Sequence, residues 1–183
     1  MDKKNDMKKE SRFCAACGNK TEWVIREVGE ESVELCPKCG MVFFRNSVPC
    51  VGGLVIKDGK ILLVKRAIDP FIGYWDIPGG FLEESEHPEN GVVREVFEET
   101  GFIVVPEELI GFYMDTYSGE GSCTTLNIYF ICSIKDGKPK LSAENDEIEW
   151  FDLEELPKNI AFIDHVSSVL TDLIEKLEIL RLK

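Results

Sequence analysis

GGFLEESEHPENGVVREVFEETGF, residues 79–102, runs from a glycine pair into a segment with helical periodicity and crowds its glutamates around one full cation, Arg94. Over 88–100, Pro88 suits the first helical position, Val92, Val93, Val96 and Phe97 form an apolar stripe, and Gly101 suits a left-handed C-cap. On that helix Glu95, Glu98 and Glu99 stand at i, i+3 and i+4. Three carboxylates then share one face, and like charges so placed repel by roughly a few tenths of a kcal/mol per pair. Hard oxygen ligands grouped in this way suit Mg2+ or Mn2+, which removes the repulsion. The competing reading of the helix by itself is a solvated acidic face, partly quieted by the Arg94/Glu98 pair.

Working outward, the flanks predict an α/β domain. VGGLVI (51–56) and KILLVKRA (60–67) surround Lys57-Asp58-Gly59, and Asp-Gly tolerates the positive φ of a tight hairpin turn. LIGFYMDTYS (109–118), TTLNIYFICSIK (124–135) and EIEWFDL (147–153) read as strands. IDHVSSVLTDLIEKLEIL (163–180) reads as an amphipathic helix facing the core with Ile163, Val166, Leu170, Leu173, Ile174 and Leu177. Trp75, Phe71 and Tyr74 near the hairpin are candidates for stacking on a ring, against the plainer alternative that they pack the loop onto the sheet. His165 is assigned to packing in the last helix.

The chain has 183 residues, 44% hydrophobic and 30% charged, enough for one good-sized domain and a small extra module. Its 21 Lys and Arg against 34 Asp and Glu give 21 − 34 = −13. That charge repels nucleic-acid phosphates unless a cation intervenes, so nucleic acid is not the expected partner. Residues 1–12 are polar and mixed in charge, which predicts a disordered leader, and no apolar run suits a membrane span; the expected location is cytoplasmic.

Cys14-Ala-Ala-Cys17-Gly and Cys36-Pro-Lys-Cys39-Gly are two C-x-x-C-G turns separated by 18 residues. Two such turns bring four thiolates to one point, the donor set of a closed tetrahedral Zn2+ site, and the closed shell makes that zinc structural. The alternating stretch between them, with a turn at Gly29, predicts a hairpin that completes a zinc ribbon over 13–45. Cys50, Cys123 and Cys132 are assigned to core packing.

Gly80, five residues, Glu86, seven residues, Arg94-Glu95-Val96, Glu98-Glu99 and Gly101-Phe102 fill every fixed position of the Nudix box, and with GYWDIPGG before it and EIEWFDLEELP after it the chain resembles the Nudix hydrolases over about residues 47–183. The resemblance implies an α/β/α sandwich with a mixed sheet over 46–183, preceded by the zinc-ribbon module. It also implies hydrolysis of a nucleoside diphosphate linked to another group. Carried over, Glu95, Glu98 and Glu99 would hold Mg2+ or Mn2+ or activate water, the Gly79 carbonyl would complete a metal site, and Arg94 would orient the glutamates. Glu86 would buttress that helix and stand with Trp75 and Arg66 on the substrate side. A late-loop carboxylate would serve the chemistry, with Glu144 as first choice and Glu147 as second. Departures from the family pattern are Ser85, His87 and Gly91-Val92, and His87 predicts a weaker helix cap.

A zinc ribbon ahead of such a domain is similar to two groups, NADH pyrophosphatases and shorter ADP-ribose or FAD pyrophosphatases. DTYSGEGSCTTLNIYF lacks the S-Q-P-W-W type motif of the first group, so the resemblance favours ADP-ribose or FAD, although Tyr117 stands where ADP-ribose specialists often carry proline. The expected partner is a nucleotide-derived small molecule, and a homodimer is compatible with the family. NADH or another dinucleotide is the alternative substrate. In a different class, the alternative is a ribbon-based nucleic-acid or protein-binding regulator with a ligand-sensing Nudix domain, against which the intact box argues.

Overall fold

The computed structural model describes residues 12–24, 32–44, 46–117 and 123–181, with side chains in the last helix as far as Glu178. The chain divides into two compact units, one up to Asn46 and one from Ser47.

In the first unit three short strands, β1 (Glu22–Val24), β2 (Val33–Leu35) and β3 (Val42–Phe43), form an antiparallel sheet in the order β1-β2-β3. The expected hairpin thus exists as the β1/β2 pair, while the turn assigned to Gly29 lies outside the described residues. So does the leader expected over 1–12, apart from Arg12, which belongs to the folded unit. Its N–H donates to Thr21 Oγ1 at 2.8 Å, its carbonyl accepts from the Thr21 N–H, and its Nε lies 3.4 Å from Glu34.

The larger unit is built on β4 (Val48–Lys57), β5 (Lys60–Arg66), β6 (Trp75–Asp76), β7 (Gly79–Phe81), β8 (Phe102–Tyr117), β9 (Cys123–Gly137) and β10 (Asn145–Asp152), with α1 (Pro88–Thr100) and α2 (Ile163–Arg181). The sheet runs β10-β5-β4-β9-β8, with β4 and β9 parallel and the remaining pairs antiparallel, so it is mixed. Period-two alternation sends Val51, Val55 and Leu62 to the α1 face, where Val92 and Val96 meet them. Leu54, Ile61 and Leu63 go to the other face and pack on Val166, Val169, Leu170 and Leu173 of α2. A helix on each face makes the α/β/α sandwich.

Two expected faces shift. In α1 the buried residues are Gly91, Val92, Val96 and Thr100, and Phe97, at the margin of the stripe, is 51% exposed. In α2, Ile163 and Ile174 are exposed, and Val169 takes their place in the core. Gly101 caps α1 in the left-handed conformation, and His87 does serve as its N-cap, its Nδ1 accepting from the Glu89 N–H at a long 3.3 Å. Among the described residues no helix is long and apolar enough to cross a membrane.

What positions the site is a splay in the first hairpin. Asp58 and Gly59 both adopt positive φ, as the tight turn requires, but β4 and β5 pair only at Ile56–Ile61 and Lys57–Lys60. Farther from the turn, β4 is paired instead by β7, with Cys50 opposite Phe81 and Gly52 opposite Gly79, while β6 pairs with β5. The glycine pair of residues 79–80, which carries no strand signal of its own, is thereby wedged beside α1.

Candidate active site

The wedge demands residues without side chains. A Cβ at Gly79 would lie 2.2 Å from the Val51 carbonyl oxygen, and one at Gly80 would lie 2.6 Å from Glu95 Oε1. Close approach lets the backbone of β7 reach the glutamates of α1, and the Gly79 N–H donates to Glu99 Oε2 at 3.0 Å.

Arg94 organises the rest. Its Nε and one terminal nitrogen donate to the two oxygens of Glu86, each at 2.8 Å, in a bidentate pair. The other terminal nitrogen donates to Glu95 at 2.8 Å and to Glu98 at 3.2 Å, and the Phe81 carbonyl accepts a further bond. Glu86 also accepts from the Glu83 N–H, so both its oxygens are occupied. It buttresses the helix through Arg94 and does not line the cleft described below. The Arg94 guanidinium pulls the Glu86 carboxyl down to about 2. Burial acts the opposite way on the other two, holding Glu95 above the usual carboxylate range and pushing Glu99 up to about 8, with Asp76 and Glu95 charges adding to the latter.

One guanidinium thus faces an excess of carboxylates, two of them partly stripped of water. Such a donor set, hard oxygens with unneutralised charge and a backbone edge beside them, fits a divalent cation. Arg94 and the Gly79 N–H hold the carboxylates in place. Among the described residues, the one acidic or thiol group whose ligand atoms all lie within 4.8 Å of one another is Cys14, Cys17, Cys36 and Cys39. There Cys14 and Cys39 sulfurs stand 3.6 Å apart and Cys17 and Cys36 sulfurs 3.5 Å. A tetrahedron with Zn–S bonds of about 2.3 Å has edges of about 3.8 Å, so the four thiols fit Zn2+. Each turn is closed by a glycine N–H, Gly18 to the Cys14 carbonyl and Gly40 to the Cys36 carbonyl.

Beside the glycine wedge lies a cleft of about 540 Å³, part of it open to solvent, with Gly79, Gly80 and Phe81 on its edge. Arg66 lines it; its Nε donates to the Pro70 carbonyl at 2.7 Å, and it pairs with buried Asp76 at 2.8 Å. Trp75 does not line it: the ring is 7% exposed and packs edge-on against Phe151, so the core has taken the side chain expected to stack on substrate. Phe162 and Tyr117 supply aromatic faces there instead, their rings stacked 5.8 Å apart. Of the late carboxylates, Glu147 is held by Lys65 at 2.8 Å, and Glu144 is exposed, its carbonyl accepting from the Ala67 N–H. The buried residue here is Asn145, the first of β10, whose side chain favours the charged form of Glu99 and whose Nδ2 donates to Ser142 Oγ at 3.2 Å.

Sequence reasoning also missed His165. It is 8% exposed on the first turn of α2, its Nδ1 lies 2.7 Å from Asp115 and its Nε2 2.8 Å from the Tyr129 hydroxyl, and all three line the cleft. Strand parity could have found its partners, since Asp115 and Tyr129 belong to the face that packs on α2. Cys50, assigned to core packing, lines the same cleft.

A profile of the NUDIX domain matches residues 46–170. Over 115 residues the chain is 43% identical to an ADP-ribose pyrophosphatase of Methanocaldococcus jannaschii, a match covering 63% of this chain and 66% of that protein. Over 151 residues it is 31% identical to an NAD-capped RNA hydrolase of Pseudomonas aeruginosa, covering 80% of this chain and 50% of the relative. The chain therefore spans just under two thirds of the first relative's length and half of the second's. A solved NUDIX hydrolase from Nitrosomonas europaea superposes with a TM-score of 0.75 at 30% identity, over 88% of each chain.

Proposed function

The chain belongs to the NUDIX family, and from that premise we propose that it is a divalent-metal-dependent pyrophosphohydrolase acting on a nucleoside diphosphate joined to a second group, with ADP-ribose as preferred substrate. The observation that carries the reading is the Arg94 hub, which ties Glu86, just ahead of the helix, to Glu95 and Glu98 on it, while the Gly79 N–H fixes Glu99.

Glu95, Glu98, Glu99 and the Gly79 carbonyl would hold Mg2+ or Mn2+, which when bound would neutralise phosphate charge and make water more acidic. Arg94 keeps the carboxylates in register, and Glu86 keeps Arg94 in place. A carboxylate of this group not engaged by the cation would take the proton from the attacking water. In the balanced step, the water oxygen bonds to one phosphorus, the bridging oxygen leaves with the other phosphate, and the proton passes to a carboxylate and then to solvent. Cys14, Cys17, Cys36 and Cys39 would hold a structural zinc.

ADP-ribose is favoured by the Methanocaldococcus jannaschii relative, an ADP-ribose pyrophosphatase. A second reading, an NAD-derived substrate, is favoured by the Pseudomonas relative, whose match extends over 80% of this chain; the charge of −13 weighs against the RNA part of such a substrate. A hydrolysis panel of ADP-ribose, FAD, NADH, diadenosine polyphosphates and oxidised dGTP in Mg2+ and Mn2+ tests the choice. ADP-ribose should be preferred by about tenfold or more in kcat/KM. Preference for NADH would install the second reading, and turnover of none would remove the enzymatic one.

A further inference from the structure

The cleft has a wall whose hydrogen-bond donors are all used internally. Three neighbouring strands build it. Asp115 of β8 lies opposite Thr125 of β9, Tyr113 lies opposite Asn127, and on the other side of β9 Cys50 and Gly52 of β4 lie beside Asn127 and Tyr129. Residues 125, 127 and 129 share one face by strand parity, and α2 adds His165.

The hydrogen atoms of this wall can be followed one by one. Asn127 Nδ2 donates to the Tyr113 carbonyl at 3.2 Å and to Thr125 Oγ1 at 3.0 Å. The carbonyl can only accept, so the amide is fixed with its oxygen as the remaining free group. The Thr125 hydroxyl, which accepts from Asn127, has the Asp115 carbonyl as its own acceptor at a long 3.5 Å. Asp115 Oδ1 accepts from the Thr116 N–H and Oδ2 faces His165 Nδ1. In the neutral imidazole, the carboxylate places the proton on Nδ1, Nε2 becomes an acceptor, and the Tyr129 O–H must donate to it. The Cys50 thiol points to the Val48 carbonyl. What remains for a ligand is Asn127 Oδ1 and the lone pairs of Thr125, Tyr129 and Asp115, all acceptors.

We propose that this acceptor-only wall is the specificity element of the cleft, and that it selects a substrate moiety presenting an uncharged hydrogen-bond-donating edge, an exocyclic amino group or a sugar diol, seated near Tyr117 and Phe162. The inference rests on the reading of the cleft as a nucleotide site and deepens it. An acceptor-bearing edge pressed on this wall would leave two sets of lone pairs facing each other in a largely buried setting, and a moiety without donors would leave the wall unpaired; either costs affinity.

Calorimetric titration of the full chain in Mg2+ with AMP, purine riboside 5′-monophosphate and 2′,3′-dideoxyadenosine 5′-monophosphate tests this directly. AMP should bind about tenfold or more tightly than at least one analogue, the purine riboside arm reporting the amino group and the dideoxy arm the diol. Thr125→Val, which keeps shape, or Tyr129→Phe should reduce that preference to about threefold or less. Equal affinities for all three ligands in the wild-type chain would overturn the proposal, as would a preference left intact in both variants. If the hydrolysis panel shows no turnover while this binding preference is present, the enzymatic reading falls and the acceptor wall stands.

Discussion

Glu99 is drawn two ways: the Gly79 N–H favours its charged form, and burial near Asp76 and Glu95 opposes it more strongly. Its carboxyl lies at about 8 in the fold against 4.5 for an unperturbed glutamate. A folded value above the unfolded one means that the native chain holds the proton more tightly, so this contribution to stability is complete below about 4.5 and is lost as pH rises towards about 8. In EDTA the melting temperature should therefore fall across that window. Millimolar Mg2+ should restore it by linkage, and Glu99→Gln should flatten the slope. A melting temperature indifferent to both pH and Mg2+ would contradict the assignment. The two glycines make a second test. Gly79→Ala places Cβ against backbone, the Val51 carbonyl at 2.2 Å, and should cost about 1–3 kcal/mol in a denaturation curve. Gly80→Ala meets only the end of the Glu95 side chain at 2.6 Å, so stability should change by less than about 1 kcal/mol while hydrolysis falls by about tenfold.

At the scale of elements, the cysteine module and the helix behave differently. A sheet of three short strands has little core, so Cys36→Ser should release zinc and unfold residues 13–45, seen as loss of about one zinc per chain by elemental analysis and of amide protection in that unit. A variant that kept its zinc and its protection would contradict the four-thiol site. The α1 boundaries, Pro88 to Thr100, were legible because cap, stripe and stop signals agree over one continuous stretch. The strands of the hairpin were legible for the same reason. What sequence alone did not reveal depends on contacts between distant segments. The short strand at residues 79–81 exists because β4 and β5 diverge and leave an edge to pair. For Trp75 sequence left two readings, stacking and packing, and only the contact with Phe151, far along the chain, decides for packing. Asn145 is buried while Glu147, two residues on, is exposed, because a bulge between them breaks the alternation that would otherwise put both on one face. His165 looked like one more polar position on an amphipathic helix, and only the placement of Asp115 and Tyr129 on the facing sheet gives it partners.

For the molecule as a whole, a chain of net charge −13 would bind a polyanion through cations, and on the proposed reading the glutamate face beside the cleft would hold them. The same charge that weighs against bulk nucleic-acid binding is compatible with a small pyrophosphate bridged by metal. The measurement that bears most directly on this account is ADP-ribose hydrolysis by the wild-type chain and by Glu98→Gln, with and without Mg2+. Glutamine keeps size and helix propensity and removes one charge from a half-exposed side chain, so the fold is preserved. The account predicts cleavage to AMP and ribose 5-phosphate in Mg2+ or Mn2+, none in EDTA, and a rate reduced by about 10²–10³ in Glu98→Gln. Hydrolysis by Glu98→Gln at the wild-type rate, or equal rates with and without the divalent ion, would contradict it and leave the glutamates as a solvated face.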